Sequence, residues 1–325
     1  MSESFSETTT AQEVADAFAA QIKDRVFIVT GANIGLGLET CRALASQGAN
    51  VVMAARSPEK GQDAVKKIKE EIPMATVNFM QLDLGDLASV GVFTKQFADK
   101  YDRLDCLINN AGIMAAPFGK TKDGFEEQFG VNHLGHFQLT RLLMPILMKT
   151  GTKKMPARVV SLSSNTHWLL APLEGILFDD LSAEKSYNMW TRYGHSKLAN
   201  VLFAYELNKR YSSKNVIGVS AHPGVISSTN LNKHLGMFGM GVFLYRIYAT
   251  RGFSGFSSSA VKFKSIPAGS STTLVAALDP NVKAGAYYDD CQVGSGQYVH
   301  ELAYDDEQAK RLWEVSEQMI DGQLK

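Results

Sequence analysis

The stretch RYGHSKLANVLF, residues 192–203, places a tyrosine, Tyr193, four positions ahead of a lysine, Lys197, in a run otherwise dominated by small and apolar residues. Residues four apart share a helix face, so the phenol and the ammonium can point into one cleft. A phenol at its ordinary pKa of about 10 exchanges protons poorly near neutrality. A neighbouring ammonium stabilises the phenolate, and a lowering by about two or three units, roughly 3 to 4 kcal/mol, would bring Tyr193 near working pH. That is the range in which general acid–base catalysis works best.

Tyrosine and lysine meet at this spacing by chance in many chains, so the other chemical features decide whether the pair means anything. In TGANIGLGLE, residues 30–39, Gly31, Gly35 and Gly37 fall between a β-branched run and a helical pattern. A helix N-terminus with bare N–H groups attracts a pyrophosphate, and glycines let the phosphates come close. The spacing is G-x-x-x-G-x-G rather than the general dinucleotide fingerprint G-x-G-x-x-G. Roughly 20 residues on, a binder of the 2′-hydroxyl cofactor carries an acid. Here that turn reads MAARSPEKG, with no carboxylate before Glu59. Arg56 offers a planar fork suited to a 2′-phosphate, with Ser57 and Lys60 beside it, which favours NADP(H) over NAD(H).

These residues need a frame. VFIVT (26–30), NVVMAA (50–55), TVNFMQL (76–82), LDCLIN (104–109), RVVSLS (158–163) and NVIGVSA (215–221) read as buried strands. Helix-length segments such as LGLETCRALASQG, PEKGQDAVKKIKEEI and LASVGVFTKQFADKY lie between them. The alternation predicts an α/β fold, a parallel sheet covered by helices on both faces in the doubly wound manner. No linker divides the chain, so the expectation is one domain over 23–325. A leader over 1–22, at most partly helical, precedes it, and an insert covers about 230–270. Residues 165–192 also break the rhythm.

Composition narrows the class. Lys plus Arg (33) balances Asp plus Glu (33), so bulk charge gives no support to a nucleic-acid partner. Apolar residues at 45% and charged residues at 20% describe an ordinary soluble globular protein. Cys41, Cys106 and Cys291 are odd in number and far apart, which suggests reduced thiols. The acidic, hydroxyl-rich N-terminus lacks the pattern of a secretory signal. LGMFGMGVFLY (235–245) falls short of the roughly 20 residues a bilayer span needs, so burial is favoured over peripheral membrane contact. A cytoplasmic location is expected.

TGANIGLG, NNAG (109–112) and YGHSK together resemble the short-chain dehydrogenase/reductase family, with coverage from about residue 24 to the end. The nearer likeness is to its retinol dehydrogenase and WW-domain oxidoreductase branch. It rests on NNAGIMAAPFGKTKDGFEEQFGVNHLGHFQLT, YGHSKLANVLFAYEL, AHPGV, GAYYDDC and RLWEVS, in that order. The resemblance implies a Rossmann-type domain of strand order 3-2-1-4-5-6-7. It implies that Gly31, Asn33, Ile34, Gly35, Leu36 and Gly37 hold the pyrophosphate and that Asp83, with Leu84, meets the adenine. Asn110, Ala111 and Gly112 would border the ribose–nicotinamide side, and Pro223 and Gly224 the carboxamide, with Ser228 or Thr229 as a further contact. Asn132, Ser164 (rather than Ser163), Tyr193 and Lys197 would form the catalytic tetrad, with Ser164 and Tyr193 touching the substrate.

The implied reaction interconverts a carbonyl and an alcohol by hydride transfer. Tyr193 protonates the growing alkoxide, Ser164 donates to the same oxygen, Lys197 binds the ribose and Asn132 holds a relay water. The sequence departs from that branch in lacking a membrane-anchoring first helix and in the long gap between Ser164 and Tyr193, expected to form a loop beside the substrate. Met237, Phe238, Met240, Phe243, Tyr245 and Tyr248 read either as a lid over the substrate cleft or as a cover for the sheet edge or a partner subunit. With Trp168, Leu169, Leu170 and Trp190, the lid reading favours a lipophilic or aromatic carbonyl. His133 and His136 lack a third ligand and read as packing around Asn132 rather than a metal site. His195 should face away from the cleft, and Cys106 reads as core. Competing readings are a catalytically quiet dinucleotide-sensing scaffold, akin to the plastid import-associated branch, and a protochlorophyllide-type reductase, which NNAG argues against. A homodimer through 113–149 and 193–211 is implied by analogy alone.

Overall fold

Runs that are apolar without alternation must be buried on both faces, and this is how the strands are used. The computed structural model describes residues 5–226, 237–252, 263–294 and 298–323. Its strands are β1 (Val26–Thr30), β2 (Asn50–Ala55), β3 (Thr76–Gln81), β4 (Cys106–Asn109), β5 (Ala157–Leu162), β6 (Val216–Ala221), β7 (Val225–Ile226), β8 (Phe263–Lys264), β9 (Tyr287–Asp289) and β10 (Gln292–Val293). Eight of them form one sheet in the order β10-β9-β6-β5-β4-β1-β2-β3, and β7 pairs with β8 apart from it. Every pairing is parallel except that of β9 with β10. With β9 as seventh strand, the expected order 3-2-1-4-5-6-7 is the observed one, and β10 adds a short antiparallel edge.

The helices are α1 (Ala11–Ala17), α2 (Gly35–Ser46), α3 (Pro58–Glu71), α4 (Leu87–Lys100), α5 (Glu127–Phe129), α6 (Gly135–Thr150), α7 (Thr166–Leu169), α8 (Met189–Tyr211), α9 (Met237–Arg251), α10 (Ile266–Leu278) and α11 (Asp306–Gln323). Successive side chains of a strand point to opposite faces, so each strand feeds two cores. Val26, Ile28, Val52 and Ala54 join Phe93, Phe137 and Trp313 on the α4–α6–α8–α11 side. Phe27, Val29, Val51 and Met53 join Leu44, Ile68 and Leu274 on the α2–α3–α10 side.

The N-terminal segment differs from a loose leader. Thr10 and Glu13 form a reciprocal capping box at the start of α1, with the Thr10 amide donating to Glu13 at 2.7 Å. Ala11, Val14, Ala15 and Ile22 are fully buried in the same core as α10. The reason lies in α10, which is buried along almost its whole length, Ala268 to Leu278. A helix buried all round needs cover on every side, and α1 supplies part of it.

In the insert, Ile247 of α9 is buried with Ala115, Trp168, Leu169, Leu170 and Trp190, so the two irregular regions share one apolar cluster. Leu244, Tyr245 and Tyr248 face solvent. The side chains of Met237, Phe238, Met240 and Phe243, and residues Ser228 and Thr229, lie outside the described residues. Among the described residues no helix is long and apolar enough to cross a membrane.

His300 is buried, and so are five further histidines, His133, His136, His167, His195 and His222. Burial pushes the imidazole of His136 down to about 4 and those of the other four to about 3, from an ordinary 6.5. The unfolded chain takes up protons near 6.5 that the folded chain refuses, so their stabilisation is complete above that pH and is lost as pH falls toward the folded values. Each ring weakens the fold by up to about 1.4 kcal/mol per pH unit in that window. Calorimetric melting temperatures are expected to fall steeply from pH 6.5 to 5; a level midpoint down to pH 4.5 would count against neutral burial of these rings.

Candidate active site

In an open parallel sheet, ligands bind at the carboxyl ends of the strands where the order reverses. Here the reversal lies between β1 and β4, and the residues expected to do chemistry follow strand ends or face them from α8, except Asn132, which lies in the turn between α5 and α6. Beyond β1, Gly31 and Gly35 take φ of +63° and +59°, which disfavours any side chain there. A Cβ on Gly37 would stand 2.5 Å from the Gly31 carbonyl oxygen, so α2 reaches this turn only because position 37 is bare. Asn33, Ile34 and Leu36 complete the turn, and the N-cap Ile34 offers no side-chain acceptor to the first N–H groups of α2. That turn, a cradle with unclaimed donors at a helix N-terminus, fits a dinucleotide pyrophosphate.

Thr30, at the end of β1, was not singled out by its sequence. Its hydroxyl oxygen accepts the N–H groups of Asn110 and Ala111, both at 2.9 Å, and so draws the NNAG turn after β4 against the glycine turn. The Asn110 amide donates to the Thr30 carbonyl at 2.7 Å and is used inside the protein rather than in the cleft. Gly112 is wedged between two other site residues: a Cβ there would be 3.2 Å from Asn132 Oδ1 and 3.3 Å from Lys197 Nζ.

Asn132 lies in a π-helical turn, Gly130–Leu134, between α5 and α6. Such turns interrupt a helix at a cost and recur at functional sites. Its side chain is held on three sides: Oδ1 accepts the Ile113 N–H at 2.8 Å, and Nδ2 donates to the Ile113 carbonyl and the Ser196 hydroxyl, each at 2.9 Å. Both amide protons are thus used within the protein, and one lone pair of Oδ1 remains to accept from the relay water expected on Asn132.

Beyond β5 the two serines part company. Ser163 donates to the Lys197 carbonyl at 2.7 Å, away from the cleft. The Ser164 hydroxyl meets the Tyr193 phenol and also accepts the Thr166 N–H at 3.2 Å. Helix α8, capped by Asn188, brings Tyr193 and Lys197 to one face. Lys197 Nζ donates to the Leu162 carbonyl at 3.1 Å and lies 5.6 Å from the centre of the Tyr193 ring. Burial alone pushes the Lys197 ammonium down to about 8. Burial also raises the Tyr193 phenol, with the Ser164 hydrogen bond opposing it. The expected lowering of the phenol is thus absent here: the ammonium lies over the ring, and desolvation of the phenolate wins.

The residues around Tyr193 hold the 165–192 segment. Arg192, buried, donates to the carbonyls of Asp180 and Ser186 at 2.6 and 2.9 Å, and His195 accepts the Leu177 N–H at 3.0 Å. His195 faces that loop and not the cleft. Arg56 is exposed just after β2, and among the described residues its guanidinium has no protein partner. Ser57 beside it caps α3. Asp83 is half-buried and accepts the Gly85 N–H at 2.9 Å, next to the buried Leu84. Gly224, with φ +81°, follows Pro223 beyond β6 and packs against Lys264.

The short chain dehydrogenase family model matches residues 25–171. Retinol dehydrogenase 12 of Mus musculus is 40% identical, over 92% of this chain and 87% of its own. The chloroplastic short-chain dehydrogenase TIC 32 B of Brassica napus is 36% identical, over 98% and 95%. Among solved structures, an uncharacterized protein from Mycobacterium paratuberculosis superposes with a TM-score of 0.67 at 34% identity, covering 93% of this chain and 96% of that one. The chain belongs to the short-chain dehydrogenase/reductase family, as a retinol dehydrogenase-like oxidoreductase that works with a nicotinamide dinucleotide.

Proposed function

We propose that the protein interconverts a lipophilic carbonyl and its alcohol with NADP(H). The observation that carries the reading is the convergence of Ser164, Tyr193 and Lys197, with Gly112 set between Lys197 Nζ and the Asn132 side chain. The dinucleotide supplies or accepts the hydride. Gly31, Asn33, Ile34, Gly35, Leu36 and Gly37 hold its pyrophosphate. Asp83 and Leu84 lie on the adenine side, and Asn110, Ala111, Gly112, Pro223 and Gly224 toward the nicotinamide.

In the reductive direction Tyr193 acts as a neutral phenol. Burial keeps its proton in place at neutral pH, ready for the carbonyl oxygen. Ser164, already on the phenol, donates to that same oxygen. Lys197 then stabilises the phenolate left behind. Asn132 acts by anchoring: it holds Ile113 and, through Ser196, whose hydroxyl donates to the Tyr193 carbonyl at 2.8 Å, the helix turn that carries Tyr193. The apolar cluster of Trp168, Leu169, Leu170, Trp190 and Ile247 with Met114 supports a lipophilic substrate, retinoid-like by the company the chain keeps. Arg56, exposed and unpaired within the described residues, supports the 2′-phosphate form of the cofactor.

Loss of the reduced-nicotinamide absorbance with retinal, aliphatic aldehydes, quinones and steroid ketones tests this directly. Tyr193→Phe is expected to lower kcat by about a thousandfold while leaving NADPH binding intact; an unchanged rate removes Tyr193 from the chemistry. Arg56→Ala should weaken NADPH by about tenfold or more, on the scale of a charge-assisted hydrogen bond, and leave NADH unaffected in fluorescence titrations. Equal effects on both nucleotides would refute the 2′-phosphate assignment. Lys197 carries its proton below about pH 8 and loses it above. Carbonyl reduction should therefore be level below that pH and fall about tenfold per unit above it. A rate that stays level through pH 9.5 would show that the ammonium is not required. NADPH binding without turnover on any carbonyl would favour the scaffold reading.

A further inference from the structure

Thr30, His136 and Asn132 are all buried, and their hydrogen bonds leave one consistent placement of protons. The Thr30 hydroxyl oxygen accepts two backbone N–H groups, from Asn110 and Ala111, each at 2.9 Å. Its lone pairs are then taken, and only its proton remains to be placed. The ring Nε2 of His136 stands 2.9 Å away and the Ile108 carbonyl 3.5 Å, so the proton belongs to the ring. Nε2 is therefore bare. The proton of the neutral imidazole is on Nδ1, 3.0 Å from the Asn132 carbonyl oxygen, which can only accept. The other tautomer would aim an N–H at a saturated oxygen and a lone pair at a carbonyl.

The ring closes a circuit. Thr30 holds Asn110 and Ala111; the Asn132 side chain holds Ile113 at both its N–H and its carbonyl. His136 joins those two clamps, and Gly112 lies between them against Lys197 Nζ. We propose that His136 is a positioning residue for the reaction, a neutral imidazole protonated on Nδ1 that locks the dinucleotide turn at Thr30 to the π-helical turn at Asn132 and thereby sets Gly112 against Lys197. A protonated ring would face the Lys197 ammonium, and burial above all, with that charge adding, pushes the imidazole down to about 4 despite the Asn132 carbonyl. The function assigned to His136 rests on the carbonyl–alcohol reading of the site.

The test has three arms. In ¹⁵N-histidine-labelled protein without nucleotide, with His136→Gln used for assignment, long-range correlation should show Nδ1 protonated and Nε2 bare; an Nε2–H ring overturns the proposal. In a cycle of Thr30→Val, His136→Leu and the double variant, each single change should weaken NADPH in fluorescence titration and lower kcat, both by about tenfold, with the carbonyl KM within twofold of wild type. The double variant should be no worse than the worse single, because residues acting as one unit are not additive. Additive losses, or a His136→Leu enzyme with wild-type kcat and NADPH affinity, overturn it. Thr30→Ser keeps the hydroxyl and should restore wild-type values, which separates loss of the circuit from damage to the fold; a Thr30→Ser enzyme as impaired as Thr30→Val overturns the circuit. Should the wild type reduce no carbonyl, the functional reading falls, while the tautomer and NADPH arms still decide the role of His136.

Discussion

Burying an ammonium without a carboxylate beside it is costly, and the site is built around that cost. Lys197 gives up water for the Leu162 carbonyl and the Tyr193 ring. The loss of solvation is what draws its pKa toward neutrality. Holding the charge there requires the C-terminal end of β5 below it, a residue without a side chain at Gly112 beside it and Asn132 close by. Asn200 donates to the same Leu162 carbonyl at 3.0 Å, so that oxygen is fixed from two sides. A lysine on an exposed helix face would be an ordinary solvated cation; the same residue under the sheet's edge becomes a group that can gain or lose a proton in the working range.

Around this centre the protein spends its side chains on rigidity rather than on display. Asn132 gives both amide protons to Ile113 and Ser196 and accepts the Ile113 N–H, and Asn110 turns its amide back onto Thr30. Preorganisation of this sort matters because a misplacement of about 1 Å can cost two orders of magnitude in rate. The residues flanking Tyr193 serve the same end outward: Arg192 and His195 bind the 165–192 loop, so the wall formed by Trp168, Leu169 and Leu170 is tied to the helix that carries the phenol. Loop and α8 thus form one packed unit.

Much of this frame was legible beforehand. The strands follow from unbroken β-branched and apolar runs, which only a sheet covered on both faces can bury, and their observed limits fall within two residues of the expected ones. The glycine turn announced itself because positions 31 and 35 take a positive φ and position 37 must approach other backbone closely. The N-terminal segment was harder to place. Thr10 and Glu13 signal a helix start, but that α1 belongs to the core depends on α10, some 250 residues away, being buried on all sides. No local pattern carries that dependence.

The sequence by itself determined the layered sheet, the glycine turn and the presence of a phenol and an ammonium on one helix face, because each rests on residue types at fixed short spacing. Only the tertiary structure decided the protonation chemistry. The sequence pairs Tyr193 with Lys197 and suggests a lowered phenol; burial raises it instead, since desolvation depends on what packs around the ring and not on the spacing. Thr30 and His136 show the same limit. A threonine ending a strand and a histidine within a helix carry no signal of their own, and their joint role appears only when β1, β4 and the π-helical turn meet. Proton positions are properties of neighbours in space, and those neighbours here are more than a hundred residues apart along the chain.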